Sequence, residues 1–560
     1  MKEHGHSARA SEHRAGNLVR DLLAVFLVSL AVRVILAAPQ KQPHYFDAYY
    51  YYNVAENLHL GRGFVVDFIW NYLDKPATVT HPSNLYWMPL TSILAWSSFS
   101  ILGASYRAAQ IPFILLSSLP PLLAYYISHR TSARRDYAWL AAILTLFAPF
   151  YLKYWACPDN FAPFAVTAGL SLVTLHLLWD KRKVRYALFT GLLIGLSHLS
   201  RADGILLWLS FAVVLGIMLL RGQRDTNAGS AEQGSDTKGV TFSACVRWFA
   251  LAVVGYLVVM IPWFWRNWML IGSPLSGAST KTIFLRSYAD LFSYSADLSL
   301  QSYLAWGWRA ILHSKFTAAV HNLAVVLGAL QFHLAPLAII GLWKLRGRRE
   351  YLPFYVYAST LYLSMTLVFT FPSTHASMLH STGALLPFLF AATIPGIDAA
   401  VGWVARRRRT WHPRTARRVF RIGLTVVVVA ISLFNYCQSV FLSLDPLGIQ
   451  PLWNLANTGY VTVASWLDEN APQAAVVMVV DPPAYYYFTH RPAIVIPSEE
   501  IDGIVEVAGR YQAQYLVLEY DHVASLDPLY RGEDTHSSLV LEHAFRDAGG
   551  NLIQIYSIGR

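Results

Sequence analysis

Two aspartates stand out by their company. Asp47 lies in His44-Tyr45-Phe46-Asp47-Ala48-Tyr49-Tyr50-Tyr51-Tyr52, just past an apolar run that ends near residue 38. A carboxylate set among aromatics is poorly solvated, which raises its pKa and its basicity. A base that takes a proton from an acceptor hydroxyl needs that setting. The plainer reading is an aromatic belt at a membrane interface with a solvated Asp in it. Asp159, in Ala156-Cys157-Pro158-Asp159-Asn160-Phe161, opens a second apolar run. It reads either as a helix cap or as a partner of Asp47, and two carboxylates on one face suit a divalent cation. The cofactor therefore stays open, a cation held by Asp47 and Asp159 or none.

Candidate donors follow. In Ser197-His198-Leu199-Ser200-Arg201-Ala202-Asp203-Gly204, an Arg and an Asp between apolar runs are costly unless paired or at an aqueous site. Arg201 with Asp203 is a rim pair, or Arg201 grips a phosphate through its planar fork. Arg266, within Pro262-Trp263-Phe264-Trp265-Arg266-Asn267-Trp268, is an interfacial anchor or a second phosphate ligand. The stretch from Phe371 to Ser381 is rich in hydroxyls and His and has no carboxylate. His375, His380 and Ser381 thus suit an anionic headgroup, the alternative being a capped helix start. The two histidines alone are a weak metal site. His81 and Asn84, in Thr80-His81-Pro82-Ser83-Asn84-Leu85-Tyr86, are expected to line an acceptor or sugar pocket with Tyr49 and Asp203.

The elements that must position these residues are membrane spans. Of 560 residues, 55% are hydrophobic, 14% aromatic and only 14% charged, where soluble domains carry about 25% charged residues. Mean hydropathy is +0.37. Apolar runs recur at lengths of about 18 residues or more, the signature of a polytopic helical membrane protein. The net charge of +11 falls in short clusters between apolar runs, as cytoplasmic loops do. No basic face interleaved with aromatics appears, which excludes a nucleic-acid partner. Cys157, Cys245 and Cys437 have neither paired nor metal-ligand spacing. The first run lacks a cleavage-site flank and is expected to stay as a span.

Apolar runs fall near 18–38, 84–103, 107–128, 137–153, 161–179, 186–200, 203–220, 247–271, 322–343, 352–371, 380–397 and 420–440. If 84–103 crossed the membrane, the N-terminus and the Arg130–Arg135 cluster would lie on opposite sides. Setting it aside puts every basic cluster on one face, and its Asn84, Trp87, Pro89 and Trp96 suit a helix lying in the headgroup region. About eleven spans result, with the N-terminus inside and the C-terminus outside. The expected organisation is a cytoplasmic tail over 1–17, a membrane domain over 18–442 and an extracytoplasmic α/β domain over 443–560. The membrane domain has a first outer loop at 39–106 and a long outer loop at 272–322, which holds Lys281, Arg286 and Tyr288. Arg221–Thr241 reads as a polar inner connector. In the tail, Ala474–Val480 and Tyr515–Glu519 read as buried strands, and Thr462–Glu469 and Ile501–Tyr511 as helices. Every candidate above then lies at the outer face.

That arrangement resembles the GT-C superfamily of polyprenyl-phosphate-dependent glycosyltransferases, which includes protein O-mannosyltransferases and aminoarabinose transferases. The resemblance runs over roughly residues 18–440. It rests on the acid after the first span (Phe46-Asp47-Ala48), an interfacial helix led by His-Pro (His81-Pro82…Leu85-Tyr86), and the acid at the start of the fourth span (Pro158-Asp159-Asn160). It implies a GT-C-like fold and transfer of a sugar, with inversion, from a polyprenyl-phosphate donor at the outer face. Asp47 would orient or deprotonate the acceptor, with Asp159 as the second catalytic acid. Arg201, Arg266, His375, His380 and Ser381 would take the donor phosphate. The implied partners are the donor, membrane lipid and a glycan, lipid or protein acceptor. Asp47 is followed by Ala48 rather than a second acid, and Pro82 by Ser83, without the second Pro and the Lys of the protein-mannosylating pattern, so protein mannosylation is not supported and the acceptor is left open. The rivals are a flippase or transporter and a polymer ligase acting on lipid-linked sugars. Transport is disfavoured because the charges gather at one face rather than at mid-membrane.

Overall fold

The computed structural model describes residues 2–227, 240–408, 410–441 and 452–559, with side chains from residue 17 onward and none over 222–227. Most of the polar connector and the expected start of the tail at 443 lie outside the described residues. The first half is helical: α1 (Lys2–Ala37), α2 (Phe46–His59), α3 (Leu90–Leu102), α4 (Tyr106–Ser117), α5 (Pro120–Ser132), α6 (Arg135–Leu146), α7 (Phe161–Lys181), α8 (Val184–Ser200), α9 (Leu207–Asn227) and α10 (Phe242–Ile271). Further long helices span Trp308–Ala329, Ala335–Leu345, Leu352–Leu367, Leu386–Arg407 and Pro413–Val440.

Among the described residues, seven helical segments are long and apolar enough to cross a membrane. They number eight if Arg349–Leu367 and Thr370–Thr382, bent by 110°, form one. Three other expected spans fall short for visible reasons. The 18–38 run carries Arg20, Asp21 and Arg33, α6 has 12 residues, and α8 has 17. The expected span 322–343 is divided. A helix already begins at Trp308, after the left-handed Gly307, and ends at Ala329 before Ala335–Leu345 starts. The long loop is correspondingly shorter than 272–322. His313, Lys315 and His321 interrupt the apolar pattern and hide that helix in the sequence.

Close backbone contact holds the bundle where lipid offers no hydrophobic drive between helices. A Cβ on Gly191 of α8 would lie 1.9 Å from the Ala252 carbonyl oxygen of α10. Any larger residue there forces α8 and α10 apart. Side chains facing away, such as Val254, Val258 and Ile261 of α10, are exposed, as a lipid-facing surface requires.

The tail and the first loop form one unit. Strands β1 (Val65–Val66), β2 (Phe68–Ile69) and β3 (His81–Pro82) come from the loop. The tail supplies β4 (Val476–Val479), β5 (Ala493–Val495), β6 (Ala513–Leu518), β7 (Leu539–Arg546) and β8 (Leu552–Ile558). The sheet order is β2-β5-β4-β6-β8-β7, parallel through β6 and antiparallel beyond it. The two strands and two helices expected in the tail are present, at β4, β6, Gly459–Asn470 and Ile501–Tyr511. The loop strand β2 at the sheet's edge was not foreseen. Arg62 and Asp67 form an ion pair of 2.6 Å beside it, and Tyr486 of the tail donates to Asp67 at 3.0 Å. His81-Pro82 does not open an interfacial helix as expected: it pairs with Val65–Val66, and α3 starts only at Leu90.

Candidate active site

Three side chains from distant parts of the chain converge: Asp47, Asp159 and His380. One ligand atom of each lies within 4.8 Å of the others. Asp47 is in the first turn of α2, where a carboxylate faces the positive end of the helix. Asp159 sits in the turn before α7, and His380 in the short helix Met378–Thr382. A kink delivers His380. His375 and Ala376 leave helical geometry, Ala376 with φ of 76°, in the left-handed region that costs a non-glycine residue free energy. The kink turns the Ala376 carbonyl towards His380 Nδ1 at 2.8 Å and the Ser377 carbonyl towards Arg201 Nη2 at 3.3 Å.

A carbonyl only accepts, so His380 Nδ1 carries a proton and Nε2 points at the acids. Nε2 is 3.1 Å from Asp159 Oδ2 and 4.0 Å from Asp47 Oδ2. Phe161 stacks on the imidazole with centroids 3.8 Å apart and fixes its plane. Two carboxylates and an imidazole held by a backbone acceptor form a donor set that suits a divalent cation. Within this set His380 Nε2 and Asp159 Oδ2 are already in hydrogen-bond contact.

The two acids differ. Asp159 is fully buried, and its Oδ2 accepts from Tyr45 Oη at 2.8 Å while Oδ1 accepts from the Asn160 N–H. Burial opposes its charge, but His380 and these donors outweigh burial and hold the carboxyl below the ordinary value. Asp47 keeps 25% of its side chain open. Burial, then the charge of Asp159, push its carboxyl up to about 7, against the pull of His380 and Arg201. Asp47 is thus the reachable acid and Asp159 its fixed neighbour.

Beside them lies a cavity of about 190 Å³ with apolar walls that include Ile283, Met365 and Phe369, and a polar patch at Arg201, Asp203 and Asn160. Arg201 donates Nε to Asp203 at 2.9 Å and Nη1 to Asn160 Oδ1 at 3.1 Å. Ser381 donates to the other Asp203 oxygen. Three of the five guanidinium N–H groups are committed, two remain. Residues 279–283 of the long loop close one wall, and Tyr288 of that loop stacks on His375 with centroids 3.6 Å apart.

Several expected site residues lie elsewhere. Arg266 does not line this cavity. Its guanidinium donates to the Phe64 and Ser83 carbonyls and lies over Trp263, tying the first loop to α10. His375 is exposed and holds Tyr288. Ser381 meets Asp203 rather than open space. His81 and Asn84 border a separate cleft with Asp74 and Leu85. Tyr49 packs on Tyr487 and Phe488 of the tail.

Tyr51 takes the place expected for Tyr49, lining the cavity and accepting from Asn160 Nδ2 at 3.2 Å. On a helix Asp47 shares a face with the residue four on, not two on, so reading the Tyr run as helical would have found it. Tyr45, Tyr86, Trp87 and Asn160 were also missed. Asn160 and Tyr45 adjoin flagged acids in sequence, whereas nothing local marks Tyr86 or Trp87.

Residues 80–231 match a family described as dolichyl-phosphate-mannose-protein mannosyltransferase, a stretch that includes Asp159 and Arg201 but not Asp47 or His380. No curated protein sequence matches the chain. Among solved structures, ArnT from Cupriavidus metallidurans bound to undecaprenyl phosphate superposes with a TM-score of 0.53 at 14% identity, over 97% of this chain and 98% of that one. Its apo form gives 0.52 at 13% identity, over 98% of both chains.

Proposed function

From a multi-pass membrane chain with the GT-C fold of ArnT, we propose a glycosyltransferase that moves a sugar from a polyprenyl-phosphate donor to an acceptor hydroxyl. The observation that carries this is the convergence of Asp47, Asp159 and His380 beside an apolar-walled cavity that holds Arg201. The prenyl chain lies against Ile283, Met365 and Phe369, and the phosphate against the free N–H groups of Arg201. Negative charge grows on that phosphate as the anomeric bond breaks, and a preorganised guanidinium stabilises it most at that moment. Asp47 takes the acceptor's proton as its oxygen attacks the anomeric carbon. His380 helps keep Asp159 charged, and that charge helps hold the Asp47 carboxyl up to about 7. One displacement inverts the anomeric centre. The reaction face is extracytoplasmic, with the N-terminus cytoplasmic and the α/β tail on the reaction side.

The test uses detergent-purified protein, a panel of polyprenyl-phosphate sugars and acceptors, and release of free polyprenyl phosphate as readout. Release by wild type and its loss in Asp47→Asn, folded and inserted normally, supports the reading. Equal release by both removes Asp47 as the base. No release from any donor, with counterflow in liposomes, points instead to a transporter.

A further inference from the structure

The opposite end of the bundle carries a second cavity that the reaction does not use. The helix Leu386–Arg407 begins just past Ser381 and runs 22 residues, which places its far end about 30 Å from the catalytic cluster. There, a cavity of about 380 Å³ opens between the start of α6, the end of Ala335–Leu345, the helix Leu386–Arg407 and the start of Pro413–Val440. Its wall includes Arg134, Tyr137, Lys344, Asp398, Arg406 and Arg417. We propose that it binds the phosphate headgroup of an anionic phospholipid.

The single carboxylate in the wall, Asp398, already accepts from Tyr137 Oη and lies 3.4 Å from Arg421 Nε. Arg134 is paired with Asp136 at 2.7 Å. Lys344, Arg406 and Arg417 have no acidic partner among the described residues. Three uncompensated cations around one hollow repel each other unless an anion enters. Moreover, Arg417 Nε is buried with no hydrogen-bond partner, and an orphaned buried donor costs free energy that a ligand oxygen would recover. Gly402 makes room for this arginine: a Cβ there would lie 2.6 Å from Arg417 Nη2. Basic loops at a membrane face are common and exposed, and Lys344 and Arg406 are exposed here too; what sets this group apart is the part-buried Arg417 between the helices.

Depth selects the ligand. Trp343 and Trp403, beside Lys344 and Arg406, are 68% and 54% exposed. Arg346 and Arg407 lie over their rings at 4.4 and 3.6 Å. Exposed Trp with Arg marks the headgroup level of a bilayer, so the cavity opens where lipid phosphates lie, and basic clefts between helices at that level recognise them.

Native mass spectrometry of the full chain from detergent, with phosphatidylglycerol, phosphatidylcholine or inorganic phosphate added separately, tests this. Wild type is expected to retain phosphatidylglycerol more tightly than phosphatidylcholine, and Lys344→Gln/Arg406→Gln to weaken it about tenfold. Both side chains are exposed, so the fold tolerates the change. Lys183→Gln/Arg185→Gln, which removes equal charge from exposed positions at the start of α8, is expected to change nothing. Equal retention of both lipids, or equal weakening by the two variants, overturns the proposal. So does inorganic phosphate binding that falls in Lys344→Gln/Arg406→Gln while phosphatidylglycerol retention does not, since that makes the cavity a free-anion site. None of these outcomes bears on sugar transfer, so this proposal and the proposed reaction fail separately.

Discussion

Two pairs of desolvated acids, one around the first turn of α2 and one in the tail, differ in their neighbours. Asp47 and Asp159 have cations within reach, His380 and Arg201. Asp481 and Glu519, in the tail, have none among the described residues. Asp481 caps the helix Pro482–Thr489, which packs on α2, by accepting from the Ala484 N–H. Glu519 accepts from Tyr460 Oη at 2.7 Å. Burial pushes Asp481 up to about 7 and Glu519 up to about 8. Asp481 and Glu519, with no cation beside them, serve the fold through their hydrogen bonds. In the proposed reaction Asp159 stays charged beside His380 and Asp47 exchanges the proton.

The sharpest way to break this contrast is the same substitution in both pairs. Asp47→Asn should lower kcat/KM by about 100-fold or more, the usual scale of a lost general base. Asp481→Asn, assayed alongside, should leave the rate near that of wild type. Equal losses would mean that both acids act through the fold. Arg201→Lys comes next. A point charge cannot replace a fork that bonds Asp203, Asn160 and Ser377 at once, and a drop of about tenfold in kcat/KM is expected. Steady-state assays at saturating and limiting donor distinguish phosphate binding from transition-state stabilisation. The pH profile sharpens the contrast further. With its carboxyl raised to about 7, Asp47 is protonated and inactive as a base below that pH. kcat/KM should therefore rise with pH through about 7 and flatten above it. A profile already flat by pH 5 would remove Asp47 as the titrating base.

How far the sequence reveals this contrast depends on whether the signal is local. Asp47 and Asp159 announce themselves as acids flanking apolar runs, and Arg201-Ala202-Asp203 as charges no lipid-facing segment would carry. Their convergence with His380 depends on the kink at His375 and Ala376. No proline, glycine or charge in 373–378 marks that kink, so the segment reads as a plain turn. Arg266 was legible as a charge in a Trp belt. Whether it met phosphate or backbone carbonyls depended on where residues 64 and 83 of the first loop came to lie. The tail's elements followed from hydrophobic period and length. The two-residue strand β2 was invisible because pairing with β5, 425 positions on, is what makes it a strand.

A smaller effect is expected from Glu519→Gln, read as thermal stability. The folded carboxyl titrates near 8, while an unfolded Glu titrates near 4.3. Between those values the folded chain holds the extra proton, so unfolding releases it and stability falls as pH rises, levelling above about 8. Gln keeps a hydrogen-bond acceptor for Tyr460 and never charges. The variant should match wild type near pH 5 and melt several degrees higher at pH 8.5. A constant difference across that range would mean that Glu519 does not titrate with folding.

The smallest expected effect is that of a chelator. Asp159 has little left to offer a metal: Oδ2 faces both Tyr45 and His380, and Oδ1 takes the Asn160 N–H. His380 Nε2 already occupies one side of Asp159 Oδ2, and the charge of Arg201 also pulls on Asp47. A cation entering among the three would have to displace the His380–Asp159 contact and the Tyr45 hydrogen bond together. Sugar transfer by protein treated with EDTA and dialysed should therefore match the untreated rate. If activity is lost and returns with added Mg²⁺ or Mn²⁺, then Asp47, Asp159 and His380 Nε2 are metal ligands. Asp159 would then act in the reaction directly, not by positioning its neighbour.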